Sequence, residues 1–358
     1  MFGGISTEHE VSVNSARTIL KSLDPSRYRP VLIGLNHDGD WRVSERADML
    51  PETLFDSAGG VPCFPTLRAG LDYSSGSGDP QALSAPLDVI FPIIHGRFGE
   101  DGALQGLFEV SGIPYVGCGV LATALCMDKT LTKRALRDAG LPVVPGHEAT
   151  RKQVLQSPAE LIERVEQDTD YPVFVKPTNT GSSVGVGRAR DRAELERCIA
   201  IAARYDRDIL VEQAISAREV ECAVLGGHEP EASAIGEIGY RGEFYDYEAK
   251  YVSESTELMI PAPISEALAA RLRSLAVAAF RTLKCWGMAR VDFFIDRASE
   301  EVYLNELNSL PGFTDGSMYA QLWRQSGIAL PELVDRLVEL ALERQREQNQ
   351  LVRRFEKA

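Results

Sequence analysis

Two runs toward the C-terminal end of the chain, ARVDFFID (289–296) and EVYLNELN (301–308), alternate between apolar and polar residues around a polar stretch. That alternation predicts a β-hairpin. Residues two apart share a face of a strand. Arg290, Asp292 and Phe294 therefore lie on one side, and Val291, Phe293 and Ile295 bury the other. With the turn centred near Ser299, Asp292 sits opposite Glu306, and Asn308 shares the face of Glu306. Two carboxylates and an amide oxygen converging there repel unless a cation neutralises them. Hard oxygen ligands of this kind suit Mg²⁺, which usually carries substrate phosphates as well. A solvated polar face on an edge hairpin is the competing reading.

The flanks favour the metal. Ser309-Leu310-Pro311-Gly312-Phe313-Thr314 follows Asn308, and Pro311-Gly312 forces a turn that presents backbone N–H groups. Arg290 projects from the same face as Asp292, where a guanidinium beside bare amides can stabilise a developing oxyanion.

Upstream, YPVFVKP (171–177) reads as a strand running into the glycine-rich TNTGSSVGVG (178–187). This is not a P-loop, because GxxxxGK[ST] is absent from the sequence. Nor is it a dinucleotide fingerprint, since Gly185-Val-Gly187 continues into Arg-Ala-Arg without a third glycine opening a helix. Lys176 stands before the loop, and Ser182 and Ser183 lie inside it. Glycines let backbone N–H groups turn toward an anion, and a lysine adds a point charge. A glycine-rich hairpin without a ligand remains the alternative at this stage.

Further out, Thr7-x-x-Glu10 has the spacing of a capping box for a helix over 8–23. VLIGL (31–35) and DVIFPIIH (88–95) read as buried strands, the second a central parallel strand that delivers the loop HGRFGEDG. Only Met1 and Phe2 precede Gly3-Gly4, which leaves two readings: a short first strand, or a chain that starts later than a natural one would. Residues 128–138 predict a helix stopped by Gly140 and Pro142, on which Lys133 and Arg134 read as a solvated face. DILVEQ (208–213) and EVECAVLG (219–226) are strands. Residues 239–257 carry aromatics and charges without a period and read as a functional loop. An amphipathic helix begins at Leu330.

The 358 residues suggest two or three packed units at roughly 150 residues each. With 44% hydrophobic and 25% charged residues the chain is an ordinary globular one. A net charge of −14 makes nucleic acid a poor partner. No run reaches the roughly 18 apolar residues of a membrane span, and the N-terminus does not read as a secretory signal. Six scattered cysteines without CxxC spacing read as reduced thiols. The expected setting is cytoplasmic, with no membrane partner.

Taken together, the chain resembles the ATP-grasp superfamily and, within it, the D-alanine–D-alanine ligase family. The resemblance rests on FGGISTEHEVSVNSA (2–16), FPIIHGRFGEDGALQGLFEVSGIPYVG (91–117), MDKTLTKRALRDAGLPVVP (127–145) and VFVKPTNTGSSVGVG (173–187). It continues through LVEQAISAREVECAVLG (210–226), EFYDYEAKY (243–251), GMARVDFFID (287–296) and NELNSLPGFTDGSMY (305–319), in the family's order over nearly the whole chain.

The resemblance implies an α/β chain, α+β in its C-terminal half, with the three-domain ATP-grasp fold. An N-terminal open parallel sheet would occupy 1–119, a central ATP-grasp domain 120–215, and a C-terminal ATP-grasp domain 216–358. ATP would lie between two antiparallel sheets, with Lys129, Lys176 and Ser183 on its phosphates, Glu212 at the adenine and Glu219 at the ribose. Mg²⁺, with Mn²⁺ as a substitute, would be held by Asp292, Glu306 and Asn308. The loop 243–251 would close over the site and bring Lys250 to the γ-phosphate. Glu10, Ser182 and Tyr251 would form a hydrogen-bonded trio tying the loops together.

The implied reaction joins two D-alanines through an acyl phosphate for peptidoglycan synthesis. In it Glu10 and His95 meet the first D-alanine, Arg290 and Gly312 form the oxyanion hole, and Ser317 with Met318 receives the second carboxylate. Tyr251 after Lys250 fits the dipeptide-forming type over a sister enzyme using D-lactate or D-serine. A homodimer is the family expectation. Asp315 stands where a serine is more usual, and so close to the carboxylate pocket it is expected to weaken binding of the second D-alanine.

Overall fold

The computed structural model describes residues 1–46, 49–56, 59–65, 71–74, 80–82, 86–181, 183–239 and 257–352. Within these, the strands fall into three open sheets of six, four and five strands.

The first sheet runs β1 (Phe2–Gly3), β2 (Leu32–Leu35), β3 (Trp41–Ser44), β4 (Val61–Pro65), β5 (Leu71–Ser74) and β6 (Pro80–Ala82), in that order. β1 and β2 pair in parallel, and the strands beyond continue antiparallel. β1 is two residues long because Gly3, at φ +91°, turns the chain against Leu35; a Cβ there would lie 2.2 Å from the Leu35 carbonyl oxygen.

The apolar run 88–95 departs from expectation. It flanks β1, with Ile93 N donating to the Met1 carbonyl at 2.9 Å and the N-terminal ammonium to the Phe91 carbonyl at 2.8 Å. Ile90 makes an isolated parallel bridge to Tyr115, but no regular strand forms. Pro92 removes a ladder donor in the middle of the run, which accounts for the break.

Helix α1 (His9–Ser22) also differs in detail. Its N-cap is Glu8, without a side-chain cap, so the Thr7–Glu10 capping box does not form. Ser6 Oγ donates instead to the His95 carbonyl at 2.8 Å, and helical turns begin only beyond Glu8.

Helices α2 (Ala103–Ser111), α3 (Val120–Met127) and α4 (Lys129–Asp138) lead to the second sheet. Asp128 caps α4, its carboxylate accepting from Leu131 N at 2.9 Å. The second sheet orders β7 (Gly146–Thr150), β10 (Asp208–Gln213), β8 (Val173–Pro177) and β9 (Gly187–Ala189), all antiparallel. Val173, Val175, Ile209 and Val211 bury one face against α5 (Arg151–Gln156), α6 (Pro158–Asp168) and α7 (Arg192–Ala202). The opposite face carries Phe174, Lys176 and Glu212.

The third sheet orders β13 (Glu257–Met259), β12 (Glu231–Gly239), β11 (Ala217–Gly226), β14 (Gly287–Asp296) and β15 (Val302–Asn308). Helix α8 (Glu266–Thr282) covers one face through Leu272, Ala276 and Phe280. Helices α9 (Met318–Gln325) and α10 (Leu330–Gln350) share a second apolar cluster with α1, in which Tyr319, Trp323 and Leu337 meet Val13, Ala16 and Ile19. This cluster fixes the N-terminal helix against the third sheet. Among the described residues no helix is long and apolar enough to cross a membrane.

Candidate active site

A cleft opens between the second and third sheets. Phe174 and Lys176 line it from β8, Glu212 from β10, Glu219 and Glu221 from β11, and Asp292 and Phe294 from β14. Thr180, Gly181 and Ser183 of the glycine-rich loop close one end. Ser183 takes a left-handed φ of +57° and Gly185 of +77°, backbone turns of the kind that aim N–H groups at an anion.

Register sets the charges. Asp292 pairs with Glu221 across β11 and with Glu306 across β15, so three carboxylates form a row over three adjacent strands. The ladder shifts after Asp292, where a bulge locally re-aims the strand. Arg290 answers this row. Its Nε lies 2.9 Å from Glu221, and its guanidinium donates to both oxygens of Asp292 at 2.8 and 2.7 Å. Burial opposes the Arg290 charge, but Asp292 and Glu221 more than offset it and hold its pKa well above the ordinary value. Lys129 donates to the Thr180 carbonyl at 2.8 Å and stands 3.9 Å from Glu306.

Deeper in the cleft, Glu212 is buried between two lysines. Lys176 reaches it at 2.7 Å and Lys133 pairs with its other oxygen. Burial alone would raise the Glu212 carboxyl, but Lys133 and Lys176 hold it below its usual range. Burial dominates at Lys133 and lowers its pKa against the pull of Glu212. At Lys176 burial is outweighed by Glu212 and Glu306, and the pKa rises.

A second cavity joins the first through Lys129, Thr180, Gly181, Glu221, Arg290 and Glu306, which line both. Its own wall includes Glu8, His95, Glu100, Asn308, Gly312, Ser317 and Met318. His95 is buried, and its Nε2 has no hydrogen-bond partner among the described residues; burial lowers its pKa, opposed by Glu8 and the Leu310 carbonyl. Glu100 accepts from Gly96 N at 2.5 Å, yet burial, followed by the nearby charge of Glu8, pushes its pKa up to about 8. Ser317 Oγ is oriented by Thr314, whose N–H lies at 2.9 Å and hydroxyl at 2.7 Å. Asn308 Oδ1 accepts from Leu310 N at 2.9 Å, which fixes the turn into Pro311-Gly312.

Comparison with known proteins agrees with this geometry. A family model described as D-ala D-ala ligase N-terminus matches residues 1–118, and one described as D-ala D-ala ligase C-terminus matches 135–339. The chain belongs to the D-alanine–D-alanine ligase family. A D-alanine–D-alanine ligase of Acetivibrio thermocellus is 44% identical over 357 residues, covering 96% of this chain and 95% of the relative. Among solved structures, the D-alanine–D-alanine ligase of Coxiella burnetii superposes with a TM-score of 0.84 at 35% identity, over 97% of this chain and 95% of that one. The VanG D-Ala:D-Ser ligase of Enterococcus faecalis superposes at 0.83 with 32% identity, over 95% of this chain and 97% of that one.

Within this ligase, Lys129, Lys176, Ser183, Glu212, Glu219, Arg290, Asp292 and Glu306 line the first cavity. His95, Asn308, Gly312, Ser317 and Met318 line the second. Ser182, Lys250 and Tyr251 lie outside the described residues, as does the whole of the expected lid, 243–251.

Glu10 is placed elsewhere: it is exposed and sits with His9 and His37, while Glu8 takes the cavity wall. The helix begins so that consecutive residues diverge by about 100°, and residue 8 rather than residue 10 faces inward. Asp315 is exposed between cavity-lining Thr314 and Gly316, contrary to an acid intruding on the pocket.

Lys133 is buried on Glu212, not solvated. Its signal was present in the sequence, since it follows Lys129 by four residues and so shares a helix face with it. Glu221 likewise follows Glu219 by two on one strand. Glu100 gave no periodic signal, being in a loop.

Proposed function

We propose that the two confluent cavities divide the work of this ATP-dependent D-alanine–D-alanine ligase, an enzyme of peptidoglycan synthesis. The first takes ATP and the second takes the two D-alanines. One observation carries the reading: Arg290 lines both cavities, so the group that meets the phosphoryl donor also meets the acyl centre.

In this scheme Lys129 and Lys176 bind the ATP phosphates with Ser183 and the loop backbone, Glu212 faces the adenine, and Glu219 the ribose. The oxygens of Asp292, Glu306 and Asn308 fit Mg²⁺ or Mn²⁺, because Asp292 and Glu306 are register partners with Glu221 beside them and only oxygen donors are offered. Such an ion, when bound, neutralises charge on the transferring phosphoryl group.

The carboxylate of the first D-alanine takes the γ-phosphoryl group, giving D-alanyl phosphate and ADP. Glu8 holds the ammonium of that substrate, with His95 close by. The free amine of the second D-alanine attacks the acyl carbon, and Arg290 with the Gly312 N–H bears the oxyanion. Collapse forms the peptide bond and releases phosphate. Ser317, at the N-terminal end of α9, and Met318 receive the second carboxylate. Lys250, Ser182 and Tyr251 complete the closed site, which keeps water from the acyl phosphate.

We further propose three domains divided as 1–119, 120–215 and 216–358, a cytoplasmic location and a homodimer. Sedimentation at micromolar protein tests the dimer.

The deciding assay measures phosphate release with ATP and Mg²⁺ on D-alanine, on L-alanine, and on D-alanine mixed with D-lactate or D-serine, with products resolved by mass. D-alanine alone supports turnover to the dipeptide in this reading. Turnover that requires D-serine or D-lactate would overturn the second-substrate assignment, and no turnover with any of them would overturn the reaction.

A further inference from the structure

His9, Glu10 and His37 converge outside the walls of both cavities. His9 and Glu10 open α1, and His37 lies in the turn between β2 and β3. One ligand-capable atom from each residue lies within 4.8 Å of the others. We propose that this trio is a second metal site, selective for a divalent transition ion such as Zn²⁺ or Co²⁺ over Mg²⁺.

The chemistry starts with His9. Its Nδ1 lies 2.8 Å from the Gly4 carbonyl, which can only accept, so Nδ1 carries the proton. The lone pair is therefore on Nε2, which makes no hydrogen bond among the described residues. An imidazole whose other nitrogen donates to a backbone carbonyl is the usual arrangement of a metal-bound histidine. His9 is buried and its ring packs against Phe55 at 5.7 Å. It is thus a fixed ligand.

His37 and Glu10 are exposed and free to turn; the His37 ring, stacked on His9 at 28°, rotates out of that stack to bring an in-plane lone pair to the ion that His9 Nε2 meets. The positive end of α1 disfavours a cation by a small amount, and the Glu10 carboxylate offsets it.

Selectivity follows from ligand type. Two imidazoles and one carboxylate suit Zn²⁺, Co²⁺, Ni²⁺ or Cu²⁺, while Mg²⁺ prefers oxygen alone. Three protein ligands leave a fourth position for water. The site would tie the first turn of α1 to the β2–β3 turn, directly beside Glu8 in the chain.

Co²⁺ titration of the full chain tests this, followed by visible absorption with Mg²⁺ and a non-hydrolysable ATP analogue in excess so that the oxygen-lined cleft is filled. The proposal expects one equivalent of Co²⁺ with the strong absorption of a nitrogen-ligated tetrahedral ion, displaced by Zn²⁺ and untouched by more Mg²⁺. His37→Ala should weaken Co²⁺ at least tenfold while ligase activity is retained, and Glu10→Gln should weaken it less. Identical Co²⁺ spectra and affinities for the parent and His37→Ala, or no binding by the parent below millimolar Co²⁺, would overturn the site.

Discussion

Arg290 grips Asp292 through two parallel hydrogen bonds, Nε to Oδ1 at 2.8 Å and Nη2 to Oδ2 at 2.7 Å, from two residues back along one strand. The fork fixes the plane of the guanidinium, and Arg290 lines both cavities. A lysine keeps the charge but not the fork. Arg290→Lys should therefore lower kcat by roughly 10²- to 10³-fold, the range for loss of an oxyanion donor. Steady-state phosphate release should show the KM for ATP changing far less.

Glu8 and Glu10 are separated by one residue and face different ways. Glu8→Gln removes the carboxylate on the cavity wall that we propose meets the first D-alanine, and should lower kcat/KM for D-alanine by about 10- to 100-fold, the worth of a hydrogen bond to a charged group. Glu10→Gln should stay within about twofold, as for an exposed charge. Equal losses in the two variants would reverse the assignment.

Lys133 and Glu212 form a buried ion pair completed by Lys176. Lys133→Met strips one of two lysines from a buried carboxylate that keeps Lys176, which costs about 1.5–3 kcal/mol, the worth of a hydrogen bond to a charged group. Urea denaturation should register that loss, and the KM for ATP should rise. Adding Glu212→Gln should deepen the loss, because it strips Lys176 of the carboxylate 2.7 Å away.

Burial, with the charge of Glu8 nearby, pushes the Glu100 carboxyl up to about 8 in the folded chain, against 4.5 unperturbed. Between these values the folded state holds a proton that the unfolded state releases, so stability falls as pH rises through this window and levels off above it. Glu100→Gln should flatten that slope. Urea midpoints from pH 5 to 9 for both proteins provide the comparison; parallel curves would count against the burial of this carboxyl.

Asp315 is exposed, so its charge acts on the pocket only through screened solvent. Asp315→Ser should change the KM for the second D-alanine by less than about twofold. A larger fall would mean that the acid reaches the pocket after all.

Much of the site was legible where period-two alternation could be read. The hairpin placed Asp292 opposite Glu306, and the structure has that pair in register. The strands carrying Lys176 and Glu212 were equally readable, because Val173 and Val175, and Ile209 and Val211, form short β-branched apolar runs that end in a charged residue. The losses came where tertiary contacts override local pattern. The capping-box spacing at Thr7 and Glu10 was outweighed by the pull of Ser6 on the His95 carbonyl. A buried lysine looks like a surface one in sequence, and only the facing Glu212 of a distant strand makes Lys133 an interior residue. The apolar run 88–95 gave no warning beyond Pro92 that its ladder would fail.

The turn 297–300 is exposed and sits at the end of the hairpin away from Asn308. Its length can drift over evolutionary time, or be extended to carry a reporter, without re-addressing any charge in the cleft. A single deletion inside β14 or β15 has no such freedom: it swaps faces and sends Asp292 or Glu306 into the apolar layer beneath. The hairpin is thus permissive at its tip and unforgiving along its length.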